Sequence, residues 1–207
     1  MIGIVDYGSG NIQAIANIYK QLNIAYTVIS NPKELKMADR LILPGVGVFD
    51  ETMRQLNFSG LKNELDDLVL NKKKPILGIC VGMQLMANSS EEGKLPGLGW
   101  IEGKVKKFDI ESFLHKPYLP HMGWNSLKPT VKHPILYDID FKQGFYFIHS
   151  YYFDNQDKNN TLSFSHYGGE FSSAVINENI FGMQFHPEKS HLNGVKLLKN
   201  FAKLDLC

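Results

Sequence analysis

The sequence predicts an α/β fold: a central, mostly parallel sheet flanked by helices, with an additional antiparallel β portion. Three observations predict it. Apolar runs suited to buried strands alternate with helix-period segments through about residue 88. Beyond Ser89 the pattern changes to shorter β-like runs. With 43% hydrophobic and 21% charged residues, a chain of 207 residues has the size and composition of one domain with a sizeable core, so residues 1–207 are read as a single unit.

Residues 2–6 read as a buried first strand, Gly8-Ser9-Gly10-Asn11 as a turn, and residues 12–22 as a helix with apolar Ile12, Ile15, Ala16 and Tyr19. The glycines invite a dinucleotide reading, but Gln13 stands where a third glycine belongs, and the next strand, residues 26–29, ends without an acidic residue. A third strand at residues 41–43 is ended by Pro44-Gly45-Val46-Gly47, whose glycines leave backbone amides free to approach a ligand. Residues 52–56 and 61–70 are expected to be helical, with Lys72-Lys73-Lys74 as a solvated C-terminal cap. Later β runs fall at residues 100–108, 145–152, 162–166, 173–176 and 180–185, with an exposed loop at 154–160 and a closing amphipathic helix at 195–204.

The chemistry concentrates in two remote stretches. Residues 75–86 begin as a buried strand, break at Gly78 and resume with helical periodicity from Val81. Gly78-Ile79-Cys80-Val81-Gly82 has the spacing of a nucleophile elbow, where side chains in place of the glycines would clash around a strained turn. A thiol there sits at the start of a helix, whose free amides favour a thiolate and an adjacent oxyanion. The plain alternative is a small buried hydrophobe. A base is supplied far downstream, in Phe181-Gly182-Met183-Gln184-Phe185-His186-Pro187-Glu188. Pro187 holds His186 extended, so Glu188, two residues on, can reach its ring while the other ring nitrogen faces the thiol.

Together these stretches resemble the class I (triad type) glutamine amidotransferases over almost the whole chain. Pro44-Gly45-Val46-Gly47 and Pro120-His121-Met122-Gly123-Trp124-Asn125 make the resemblance strongest to the glutaminase subunits of imidazole glycerol phosphate synthase. Met83 and Val46 separate the chain from the small subunits of anthranilate and aminodeoxychorismate synthases, whereas Gln13, Val81 and Trp100 depart from the usual pattern.

The resemblance implies that Cys80 attacks the glutamine carboxamide, His186 protonates the departing ammonia, Glu188 orients His186, and water hydrolyses the γ-glutamyl thioester. It implies oxyanion and substrate contacts from Gly45, Val46, Gly47, Val81 and Gln84. It further implies a (β/α)8-barrel cyclase as heterodimeric partner, met by Asn11, His121, Met122, Trp124 and Lys189, with docking controlling the oxyanion loop. The cyclase would use the ammonia to form imidazole glycerol phosphate and an aminoimidazole carboxamide ribotide. Residues 120–125 themselves read as a loop, and His149 as a structural histidine near the site. Because nineteen residues follow Glu188, a separate rather than fused ammonia acceptor is expected.

Other classes find little support. A net charge of +1 offers no attraction to a polyanion, and with Arg40 and Arg54 as the two arginines, bidentate phosphate binding has few donors. Seven histidines show no metal-ligand spacing, so neither metal nor cofactor is expected. Cys80 and Cys207 make no disulfide framework, and no basic leader or long apolar stretch precedes the core, so a cytosolic location is expected. Three alternatives remain: a paralogue feeding a sugar amidotransferase for surface polysaccharide, a non-catalytic docking subunit, and a stand-alone cysteine hydrolase.

Overall fold

The computed structural model describes residues 1–109 and 118–204; Cys207 lies outside them. In chain order the elements are β1 (Ile2–Val5), α1 (Ile12–Gln21), β2 (Tyr26–Ile29), β3 (Arg40–Gly45), α2 (Phe49–Phe58), α3 (Lys62–Asp66), β4 (Ile76–Cys80), α4 (Val81–Gln84), β5 (Ser89–Ser90) and β6 (Gly103–Lys107). There follow β7 (His121–Asn125), β8 (Lys128–Pro129), β9 (Phe145–His149), β10 (Tyr151–Asn155), β11 (Thr161–His166), β12 (Glu170–Asn177), β13 (Ile180–Met183) and α5 (His191–Lys203).

The main sheet has the order β2-β1-β3-β4-β13-β12-β10-β6-β5, with β11 on β12 and β8 on β11. β2, β1, β3, β4 and β13 run parallel, and β12 then joins β13 antiparallel, so the chain changes from crossover to hairpin connections at one strand. Every residue of β1, β4 and β13 is buried, as required of parallel strands covered on both faces. The helix α1 turns buried Ile15, Ala16, Ile18 and Tyr19 inward, and the Tyr19 hydroxyl donates to the Leu198 carbonyl of α5 at 3.2 Å.

Four expectations need correction. Pro44 and Gly45 continue β3 instead of ending it; the freed geometry is used by the Tyr7 hydroxyl, which donates to the Pro44 carbonyl at 2.5 Å. Residues 121–125 form a strand, not a loop: they pair antiparallel with β9, from His121 opposite His149 to Asn125 opposite Phe145. Residues 154–155 close β10 before the predicted loop begins. Lys74 is not freely solvated, because its ammonium donates to the carbonyls of Leu35, Lys36 and Ala38 at the end of the short 3₁₀ turn Pro32–Met37. Trp100, the aromatic departure, is buried and donates its indole N–H to Asp66 at 2.8 Å.

Candidate active site

Cys80 ends β4 with φ 54° and ψ −113°, a conformation that bulky L-residues avoid. The flanking glycines are needed for close approach: a Cβ on Gly82 would lie 1.9 Å from the Leu43 carbonyl oxygen, and one on Gly78 would lie 2.8 Å from that of Gly82. β13 lies beside β4 in parallel register with Met183 opposite Ile79, so residues following β13 emerge next to Cys80. His186 is held there by its own N–H on the Tyr146 carbonyl (2.9 Å) and by its carbonyl, which accepts from the Ser190 hydroxyl (2.6 Å).

The His186 Nδ1–H donates to Glu188 Oε1 at 2.7 Å, and the ring also hydrogen-bonds Cys80. Burial opposes the imidazolium, but the hydrogen bonds to Cys80 and Glu188 and their charges outweigh it, so the His186 pKa is raised. Burial likewise favours neutral Glu188, yet the bond and charge of His186, helped by Asn11, hold its carboxyl below the usual range. The Asn11 amide donates to the same Glu188 Oε1 at 2.7 Å. Cys80, His186 and Glu188 are therefore brought together, and Asn11 supports the carboxylate.

A cavity of about 480 Å³ opens over Cys80, lined by Asn11, Val46, Gly47, Val81, Gln84, Glu92 and His186, with residues 148–151 and Lys189 at its other wall. The Lys189 ammonium lies 5.9 Å from the Tyr146 ring centre. Gln84 is buried and donates from Nε2 to the Tyr151 carbonyl and to Gln184 Oε1, both at 3.0 Å, leaving its Oε1 to offer a substrate. The Val46 N–H is not aimed at the nucleophile: it donates to Ser9 Oγ at 3.0 Å, and the Ser9 hydroxyl returns a bond to the Val46 carbonyl. Gly45 packs directly against Val81 and Gly82, and Gly47 has φ 102° with open space around it.

Of the residues expected at a partner contact, Met122 and Trp124 are exposed, and Trp124 stacks on His191 with ring centres 5.4 Å apart. His121 is instead buried, which removes it from the surface. Its Nδ1 lies 3.0 Å from His149 Nε2, and His149 Nδ1 lies 2.8 Å from the Tyr151 carbonyl. A carbonyl only accepts, so His149 carries its proton on Nδ1 and accepts from His121 Nδ1–H. Burial lowers their pKa values to about 4 for His121 and about 3 for His149, so both rings are neutral.

Sequence reasoning missed Glu92, Ser9 and Gln184. Glu92 reaches the cavity while accepting from the Phe49 N–H at 2.9 Å, and burial pushes its pKa up. No spacing signal distinguishes it from its neighbour Glu91. Among the described residues, no His, Cys, Asp and Glu cluster suits a metal ion, and no helix is long and apolar enough to cross a membrane.

The chain matches the family model "Glutamine amidotransferase class-I" over residues 3–204. It is 50% identical over 204 residues to "Imidazole glycerol phosphate synthase subunit HisH" of Leptospira borgpetersenii, covering 99% of this chain and 100% of that one. With the protein of the same name from Bdellovibrio bacteriovorus the identity is 52%, at the same coverage. Among solved structures, "PurLQS from Thermotoga maritima" superposes with a TM-score of 0.68 at 19% identity, covering 98% of this chain and 97% of that chain. A structure described as "glutamine amidotransferase" gives a TM-score of 0.71 at 17% identity over 98% and 99% of the two chains; both likenesses speak to the fold alone.

Proposed function

Because the chain belongs to the class-I glutamine amidotransferase family, we propose that Cys80, His186 and Glu188 form its catalytic triad, and that glutamine is cleaved in the cavity above Cys80. The protein is the glutaminase subunit of an imidazole glycerol phosphate synthase in histidine biosynthesis, as its relatives of about 50% identity are named for that synthase. The observation that carries the mechanism is the His186 ring bridging Cys80 and Glu188.

The Cys80 thiolate attacks the side-chain carboxamide carbon, and the carbonyl electron pair moves onto oxygen. The Val81 N–H, left free at the start of α4, is one oxyanion donor. A second comes from residues 45–47 once the loop turns, and for Val46 this requires release from Ser9. Collapse breaks the C–N bond as His186 gives its proton to the leaving ammonia. Water then cleaves the thioester to glutamate. Glu92, a cavity carboxylate that is not engaged in the triad, suits the α-ammonium of glutamine.

The ammonia passes to a separate cyclase subunit, in our reading a (β/α)8 barrel, whose contact is centred on Met122 and Trp124 with Lys189 and Asn11 behind them at the cavity wall. Its docking would free the loop amide, so glutamine is not hydrolysed idly. In the complex with this partner, Cys80→Ala is expected to abolish glutamine-dependent synthesis while leaving synthesis from ammonium salts. Loss of both would refute a separate ammonia supply. Unchanged glutamine use would refute Cys80 as nucleophile.

A further inference from the structure

Cys80 has a second polar neighbour that the triad does not include. Gln184 is fully buried, and its Nε2 lies 3.9 Å from Cys80 Sγ, within reach of donation to a large sulfur acceptor. The fold brings it there for a plain reason. Met183 is opposite Ile79, so Gln184 comes level with Cys80, and Gln184 and His186 both lie on the short bend that follows β13 beside the sulfur.

The orientation of its amide follows from the neighbouring bonds. The Tyr151 carbonyl can only accept, so the Gln84 atom 3.0 Å from it is Nε2. The same Nε2 lies 3.0 Å from Gln184, whose facing atom is therefore Oε1. That leaves the Gln184 Nε2–H₂ group turned to Cys80. Upstream, the Tyr151 carbonyl is held by His149 Nδ1–H, and His149 by His121. Rotating the Gln184 amide would set its Nε2–H₂ against the Gln84 Nε2–H₂, two donors facing each other, so the donor facing the sulfur is built in.

We propose that Gln184 stabilises the Cys80 thiolate by hydrogen-bond donation, and that Gln84 locks Gln184 in the donating orientation in addition to lining the glutamine cavity. A donor strengthens its bond as negative charge accumulates on the acceptor, so it favours thiolate over thiol. In the thioester the sulfur is a poor acceptor and the bond weakens. Gln184 thus favours sulfur in its charged form, before attack and again when the thioester is cleaved. The inference rests on Cys80 being the nucleophile, and it deepens that reading.

The test is alkylation of Cys80 by iodoacetamide, followed by mass spectrometry, in the complex with the cyclase subunit. Co-elution of each variant with the cyclase subunit in size-exclusion chromatography reports that it is folded and docked. Gln184→Met preserves bulk but removes the donor, and its alkylation rate at pH 7 is expected to fall about tenfold. The deficit should close towards pH 10, where the thiolate forms without help, which a mere packing defect would not produce. Should Gln184→Met fail to fold, Gln84→Met, which releases the lock, is expected to slow alkylation about threefold, in line with a single hydrogen bond. A folded Gln184→Met alkylated at the wild-type rate overturns the proposal, as does an unchanged rate in Gln84→Met if that variant has to serve. Wild-type Cys80 reacting no faster than a free cysteine at pH 7 overturns the nucleophile reading itself, a different result.

Discussion

At Cys80 the backbone holds a conformation worth about 1–3 kcal/mol of strain, and it persists because its neighbours leave no alternative: Gly82 is pressed on Leu43 and Gly78 on Met83 and Met86. One pocket wall is fixed in this way, and the facing one is held mainly by the Ser9 hydroxyl, with a longer bond of 3.4 Å from the Thr52 hydroxyl to the Val46 carbonyl. Ser9 Oγ accepts the Val46 N–H and donates to the Val46 carbonyl, both at 3.0 Å. Ser9→Ala deletes both bonds from a surface loop, so partner-free glutamine hydrolysis is expected to rise about three- to tenfold, the equivalent of one hydrogen bond. Steady-state glutamate release by the isolated subunit measures it; an unchanged or lower rate would mean that Ser9 does not restrain the loop. The meeting of Cys80, His186 and Glu188 was legible in the sequence, because paired glycines bracket Cys80 and Pro187 fixes the reach from His186 to Glu188. Ser9, Glu92 and Gln184 were not, since each acquires its role from a neighbour at least 37 positions away: Val46, Phe49 and Cys80.

For the elements, the decisive contact is β3 against the start of α4. An added methyl at Gly82 would stand 1.9 Å from the Leu43 carbonyl oxygen and 3.1 Å from the Pro44 carbonyl carbon, so β3 and the turn after β4 must part to admit it. Gly82→Ala is therefore expected to destabilise the protein by about 3 kcal/mol, at the upper end for overpacking, as read from urea unfolding midpoints. A loss below about 1 kcal/mol would show that the turn can yield. Periodicity located β1, α1, β2 and β13 to within two residues, because each carries its own apolar pattern. It missed β7, where Pro120, Gly123 and two exposed large side chains read as a turn. The pairing of that strand comes from β9, some twenty residues on, and local pattern carries no trace of it.

Across the whole molecule, the neutral pair His121 and His149 gives stability a pH dependence. Their folded pKa values lie below the unfolded value of about 6.5, so the unfolded chain takes up protons first as pH falls. Stability should decline from about pH 6.5 down towards about 4, each ring contributing about 1.4 kcal/mol per pH unit at full slope. His133, also lowered by burial, adds in the same sense. His186 works oppositely: its raised pKa gives stability that is fully present below about pH 6.5 and is lost as pH rises from there through the folded value. Denaturant midpoints at pH 7.5 and 5.0, with ring resonances of His121 and His149 followed by NMR, check this. Either ring titrating near pH 6.5 would contradict the buried neutral pair.

The two halves of the site are also tied by the backbone itself. β4 carries the sulfur and β13 leads to the imidazole, and these strands, about a hundred residues apart in sequence, are direct ladder neighbours in the middle of the sheet. Their amide protons should be among the last to trade for deuterium, since fraying of an edge or a helix end leaves that seam closed. Thermal wear would then not erode the chemistry gradually. Reactivity persists while the centre of the sheet is closed and vanishes when it opens, so inactivation and global melting should coincide.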